Sequence, residues 1–174
     1  MPMLDAYIPE GALAPEVEKA LLAEVTDLLL LHEGADPKLP TARSIAWVFL
    51  HRPIVFVAGA PATEPRYRFI CQVPEGQYDA ERRLATTAAI TAAVAKAEKG
   101  THADVASRVW VFTHEIPDGN WGGYGTTVRL PDIAAFVLGE AARPIAEQRL
   151  AERRHQNATA LLELARKPVS AVPA

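Results

Sequence analysis

The stretch MLDAYIPEG (3–11) returns as RFICQVPEG (68–76), with Pro-Glu-Gly in register at an offset of 65. A second pair follows in the same order: AWVFLH (46–51) returns as VWVFTH (109–114), sharing Trp-Val-Phe-x-His at an offset of 63. Two matched stretches in one order mean that the chain repeats a single supersecondary unit, and the two-residue difference is a change in loop length. Each unit reads the same way. An apolar strand (Met3–Ile8; Arg68–Val73) ends at a Pro-Glu-Gly turn, a helix follows, and a second strand (Ile45–Leu50; Val109–Thr113) completes the unit.

In unit one the helix begins at Pro15, a favoured first-turn proline, with Glu16 and Glu18 near its positive end. Val17, Leu21, Val25, Leu28 and Leu29 form one apolar face, and Gly34 suits the C-terminal cap. In unit two Asp79 caps the start, Leu84, Ile90 and Val94 lie among alanines, and Gly100 closes the helix. Strand, helix, strand is a β-α-β unit whose two strands run parallel. Two tandem β-α-β units predict an α+β fold: a four-stranded sheet with two helices on one face. The second strands read apolar on both faces (Ala46 to Phe49; Val109 to Phe112), so the bare face predicts cover from other subunits in a ring-symmetric oligomer. Trp47 and Trp110 are read as sheet core rather than ligand wall.

Composition narrows the function classes. Hydrophobic residues at 49% and charged residues at 22% are ordinary for a globular protein. A formal charge of −3 leaves no electrostatic footprint for nucleic acid or an anionic membrane. No signal segment or long apolar run is present, which predicts a cytoplasmic protein without a membrane partner. The single cysteine, Cys71, cannot form an internal disulfide and reads as a buried core thiol. The five histidines show no metal-ligand spacing, and the glycines form no phosphate-binding loop. His51 and His114 hold equivalent repeat positions, which predicts a shared structural role at a strand end.

Beyond unit two, EIPDGNWGGYGTTVRLPDI (115–133) places four glycines around Trp121 and Tyr124, the pattern of a Gly-rich hairpin. Residues 134–174 form a helical C-terminal extension, helical from Pro144 and ending in a frayed PVSAVPA. The main domain is therefore 1–133, with repeat units of about 2–60 and 67–130. Leu150, Leu161, Leu162 and Leu164 need a surface to cover, which predicts that the extension wraps a neighbouring subunit.

Pro2 precedes the first strand. Either it tolerates a strand's first position, where no N–H is needed, or Met1 is removed and Pro2 presents a free secondary amine. Its repeat equivalent is Tyr67, so the unit folds without proline there, which favours the amine. Cations that could grip a carboxylate are Arg43, Arg52, Arg66 and Arg68. Arg66 and Arg68 alternate with Tyr67 at the start of the third strand, and a solvated connecting loop is the other reading of them.

With Pro2 after Met1, the doubled β-α-β unit and THEIPDGNWGGYG (113–125), the sequence resembles the tautomerase superfamily. That group includes 4-oxalocrotonate tautomerase and macrophage migration inhibitory factor, and the likeness is to its fused-repeat branch containing cis-3-chloroacrylic acid dehalogenase. It covers about residues 2–133. The resemblance implies a homotrimer, no cofactor, a small-molecule substrate and catalysis at Pro2. It also implies pocket roles for Phe112, Trp121 and Tyr124, and sets Gln77 where the family keeps an arginine after Glu-Gly. The unit-one equivalent is Ala12, and a second arginine site is Trp47 or Trp110 here, which implies a less cationic pocket. The implied activity is a cofactor-free isomerase using Pro2 as general base on a small enolisable carbonyl. The alternatives are a catalytically weak trimeric scaffold or binding protein, or a related lyase (hydratase, dehalogenase or decarboxylase).

Overall fold

The computed structural model describes residues 2–166. Calls on Met1 removal and on the terminal PVSAVPA lie outside the described residues. In chain order the elements are β1 (Met3–Tyr7), α1 (Pro15–His32), a short α2 (Pro40–Ser44) and β2 (Trp47–His51). A ribbon of β3 (Phe56–Val57) and β4 (Ala60–Pro61) leads to β5 (Tyr67–Pro74), α3 (Ala80–Glu98), a one-turn α4 (His102–Val105) and β6 (Val109–Ile116). The hairpin β7 (Trp121–Gly123) and β8 (Thr126–Val128) precedes α5 (Leu130–Leu138) and α6 (Arg143–Arg166).

The fold is α+β, with one four-stranded sheet in the order β2-β1-β5-β6. β1 runs parallel to β2 and β5 parallel to β6, while β1 and β5 meet antiparallel at the centre. The repeat is visible in the register. Met3 pairs with Trp47 in unit one, as Arg68 pairs with Trp110 in unit two. Asp5 pairs with Ile70, its own repeat equivalent, so a pseudo-twofold axis passes between them. The two units therefore point their equivalent ends in opposite directions.

Alternation along the central strands aims Leu4 and Ala6 of β1, with Ile8 just beyond its end, and Phe69, Cys71 and Val73 of β5 at the helices. They meet Leu21, Val25 and Leu29 of α1 and Ile90 and Val94 of α3, all buried. Burial pushes the Cys71 thiol up to about 12, so it stays a neutral core group. Pro15 opens α1, and the Asp79 side chain accepts from Arg82 N–H at 2.7 Å to cap α3.

The structure departs from the sequence reading at particular places. Ile45 belongs to the end of α2, a helix not anticipated, and β2 starts at Trp47. Lys99, not glycine, adopts the left-handed conformation that ends α3 (φ +57°), and Leu84 is exposed on it. Trp47 and Trp110 are not core within one chain: they are 62% and 66% exposed on the sheet face away from the helices. Their alternate position on the strands puts them there, with Phe49 and Phe112 beside them.

The extension does not leave the chain to wrap a neighbour over its first half. α5 runs across residue 133, and Leu130, Ala146 and Leu150 form a small second core with Ala134. Leu161, Leu162 and Leu164 remain exposed on the distal part of α6. No helix among the described residues is long and apolar enough to cross a membrane.

Candidate functional site

Pro2 is buried at the head of the central strand β1, where its carbonyl accepts from Trp47 N–H at 3.3 Å. Two features of the fold bring other groups to this end of the sheet. α1 returns antiparallel to β1, so Glu33, the residue that caps its C-terminal end, comes back toward Pro2. The antiparallel pairing of Met3 with Gln72 places the end of β5 and its Glu75–Tyr78 turn alongside. Glu33 is buried. Burial pushes its carboxyl above the usual carboxylate range, and the positive charge of the chain's amino terminus opposes that rise.

The extension is pinned to the same turn by three arginines of α6. Arg154 forms a two-pronged pair with Glu75, at 3.0 Å for each contact, and holds that carboxyl below its ordinary range. Arg153 donates to the Tyr78 carbonyl and lies 3.6 Å from Glu115. Arg149 donates to the Gln77 side-chain oxygen at 3.0 Å. The turn is braced from below as well. Tyr78 N–H donates to Glu115 (2.8 Å), and Asp118 N–H donates to Glu75 (2.9 Å). Asp118 in turn accepts from Leu130 N–H at 3.0 Å, which fixes the start of α5. Gly76 sits in this turn at φ +89°, a conformation that glycine adopts without strain.

Between the end of α1, α5 and α6 lies a cavity of about 110 Å³. Its polar lining is Glu33, Gln77 and Arg149; the rest is apolar, chiefly Leu130, Ala134, Val137, Ile145 and Ala146. Gln77 is only 6% exposed, so its amide is committed to the site rather than to solvent. A buried carboxyl, a buried amide and a guanidinium around an apolar hollow can orient a small polar molecule and move a proton.

The pseudo-twofold axis generates a counterpart at the opposite end. There Tyr67 stands for Pro2, Glu98 for Glu33 and Ala12 for Gln77. The Tyr67 hydroxyl donates to Glu98 at 2.7 Å, and Arg108 donates to both oxygens of the same carboxylate. Arg108 is 6% exposed, and its hydrogen bonds hold Glu98 below the ordinary carboxylate range. Burial and Glu98 push the Tyr67 phenol up. At this end the carboxylate, the guanidinium and the phenol pair with one another, and Glu98 and Arg108 also line an open hollow of about 460 Å³ with Ala12, Val17 and Pro65.

Of the residues singled out from the sequence, Pro2 and Gln77 fall at one end of the sheet. Arg66 and Arg68 do not join them within a chain. Antiparallel pairing sets Arg68 opposite Tyr7, at the far end of β1, and its guanidinium lies 3.9 Å from the centre of the Tyr7 ring. Arg66 lines a hollow with Arg68, Tyr7 and Trp110. Phe112 is exposed on the uncovered sheet face, and Trp121 is half-buried in β7. Tyr124 is 85% exposed at the hairpin tip with φ +54°. His51 and His114 do not share a role: His51 contacts Asp5 at 2.6 Å and stacks on Tyr7, whereas Ile70 replaces that aspartate in unit two. The sequence reading missed Glu33 and Arg149. The offset of 65 that relates the units also relates Glu33 to Glu98, and that was the available signal for the first.

No protein-family model matches this chain, and no curated protein matches it. Solved structures do. Pt0534 inactivated by 2-oxo-3-pentynoate is 25% identical, with a TM-score of 0.58 over 72% of this chain and 94% of that one. N1, a member of the cis-3-chloroacrylic acid dehalogenase family, aligns with a TM-score of 0.61 at 19% identity, covering 84% and 99%. The fold is that of the tautomerase superfamily. A wild-type fused 4-OT, an asymmetric trimer, shares this tautomerase fold at 20% identity and a TM-score of 0.57, covering 72% and 94%.

Proposed function

We propose that this chain is a cofactor-free tautomerase-like isomerase in which the Pro2 amine, freed by removal of Met1, is the general base on a small enolisable carbonyl compound. The observation that carries this reading is Pro2 buried at the head of β1, at the sheet end where Glu33 and Gln77 line a cavity. An α-amino group titrates near ~8 in water, and burial lowers it by disfavouring its charged form. An amine titrating near neutrality is matched to proton transfer at neutral pH. In ketonisation the Pro2 nitrogen takes the enol hydroxyl proton as the carbon–oxygen double bond forms. The protonated amine then returns the proton to the neighbouring carbon, and the enzyme is regenerated. The inactivation of Pt0534 by a 2-oxo acid supports this substrate chemistry.

The working form in this proposal is a homotrimer. Trp47, Phe49, Trp110 and Phe112 lie exposed on the sheet face that no helix covers, and fused 4-OT is a trimer. The test combines an intact-mass measurement of Met1 removal with ketonisation of phenylenolpyruvate by wild type and Pro2→Ala. A mature chain beginning at Pro2 and a rate that collapses in the variant are expected. Equal rates in both would overturn the proposal.

A further inference from the structure

We propose that the hollow at the Tyr67 end of the sheet is a second ligand site, which takes the phosphate monoester of a flat, apolar ring compound between Arg66 and Arg68. The site is separate from the Pro2 chemistry, because Arg68 pairs with Tyr7 at the end of β1 opposite Pro2.

The hollow has a volume of about 630 Å³, and its charged lining is Arg66, Arg68 and Arg108, with no acidic side chain. In a chain of net charge −3 that is a local reversal of sign. The three guanidiniums are not equally free. Arg108 is neutralised by Glu98, whose two oxygens it holds. Arg66 reaches only the exposed Glu64, at 4.0 Å. Arg68 has no carboxylate within ion-pair distance among the described residues, and its contact is the face of the Tyr7 ring.

Arg68 is also held in place before any ligand arrives. Its guanidinium lies 3.9 Å from the centre of the Tyr7 ring, Tyr7 stacks on His51 at 4.3 Å, and His51 contacts Asp5 at 2.6 Å. A guanidinium resting on a ring face keeps its N–H donors for an anion, and it has less rotamer freedom left to lose on binding.

Two guanidiniums decide the head group. A carboxylate brings one charge and two oxygens, whereas a phosphate monoester brings nearly two charges and three acceptor oxygens, enough for both forks. The walls decide the body. Trp110 and Phe56 line the hollow with exposed aromatic faces, and Ile54 and Val57 add apolar surface. Such faces stack on a planar ring. Arg66 and residues 53–55 lie outside the strands, so the hollow extends past the sheet face that the proposed trimer covers.

The test titrates phenyl phosphate, phenol, benzoate and inorganic phosphate against the full-length wild-type protein by calorimetry. Phenyl phosphate is expected to bind about tenfold or more tighter than each of the other three, the scale of one added charge-assisted contact or one stacked ring. Arg68→Gln should remove most of its advantage over phenol, and Arg68→Lys should restore part. Trp110→Leu should remove most of its advantage over inorganic phosphate. Sedimentation and melting curves check that each variant keeps the wild-type assembly. If Arg68→Gln does not, Arg66→Gln, at a residue outside the strands, carries the same test. Pro2→Ala should bind phenyl phosphate as wild type does, so a failure of the isomerase reading leaves this result intact. Equal affinity for phenyl phosphate and benzoate, or an unchanged advantage over phenol in a folded arginine variant, overturns the proposal even if the enzyme isomerises phenylenolpyruvate.

Discussion

Glu33 and Glu98 close the two repeat helices at equivalent places, 65 residues apart, yet their surroundings shift their carboxyl pKa values in opposite directions. Around Glu98 the fold supplies a buried arginine and a phenol, and the carboxyl is held low. Around Glu33 burial outweighs the lowering effect of the chain's amino terminus, and the carboxyl is driven up. One end of the sheet has spent its polar groups on each other. At the other, Glu33, Gln77 and Arg149 line a smaller hollow roofed by α5 and α6. A duplicated unit thus carries two different polar clusters at its equivalent ends, with no change in backbone topology.

The largest effect that could break this comparison is catalytic. Pro2→Ala should lower ketonisation by about a hundredfold or more, the scale of a positioned general base, with melting temperature nearly unchanged. Tyr67→Phe, its repeat counterpart, should do the reverse: activity near wild type and a stability loss of about 1.5 kcal/mol, for a hydrogen bond to a charged group. Steady-state rates beside denaturant melts would separate them, and a Tyr67→Phe variant that loses activity instead would erase the division.

Glu98→Gln comes next. It leaves the buried Arg108 guanidinium without its carboxylate and should cost about 3 kcal/mol in denaturant unfolding. The pH dependence then sharpens the contrast. Glu98 has a depressed folded pKa, so its contribution is present above the unfolded carboxylate value and fades as pH falls through the folded value. Glu33 has a raised one, so its contribution is present below the unfolded value and is lost as pH rises through the folded value. Wild type and Glu98→Gln should therefore converge in melting temperature toward acid, while Glu33→Gln should gain on wild type as pH rises. Parallel curves for the two variants would contradict the opposite shifts.

The smallest effect concerns the two Pro-Glu-Gly turns. Gly11 and Gly76 hold φ of +74° and +89°, and alanine at either should cost about 1 kcal/mol of backbone strain. An added Cβ meets nothing within 4 Å at Gly11 but lies 3.5 Å from Leu130 and 3.8 Å from Leu150 at Gly76. Those are ordinary contacts, so the two melts should agree closely. A larger loss at Gly76 would show that α5 and α6 press on the turn harder than these spacings indicate.

The repeat made the sheet legible from the chain alone. Offsets of 65 and 63 between matched strands translate directly into the identical register of Met3 with Trp47 and Arg68 with Trp110. Pro15 and Asp79 marked the helix starts because capping chemistry is local. The candidate site was less legible, since its parts meet across long separations. Arg149 reaches Gln77 and Arg154 reaches Glu75 through contacts 72 and 79 residues apart. α6 docks through arginines and through Ala146 and Leu150 alone, so no apolar stripe announced which face lies inward. Trp47 and Trp110, read as sheet core, are exposed within one chain, on the apolar face that the sequence reading expected other subunits to cover.

The roofing helix ties two properties of the hollow together. Arg149 and the apolar walls Ile145 and Ala146 ride on one helix. A displacement of α6 would therefore move the charge and the apolar lining as one body. The pair of contacts between Arg154 and Glu75 is one of the ties that set where that body sits. Loosening it should alter the polarity and the shape of the hollow together rather than either alone.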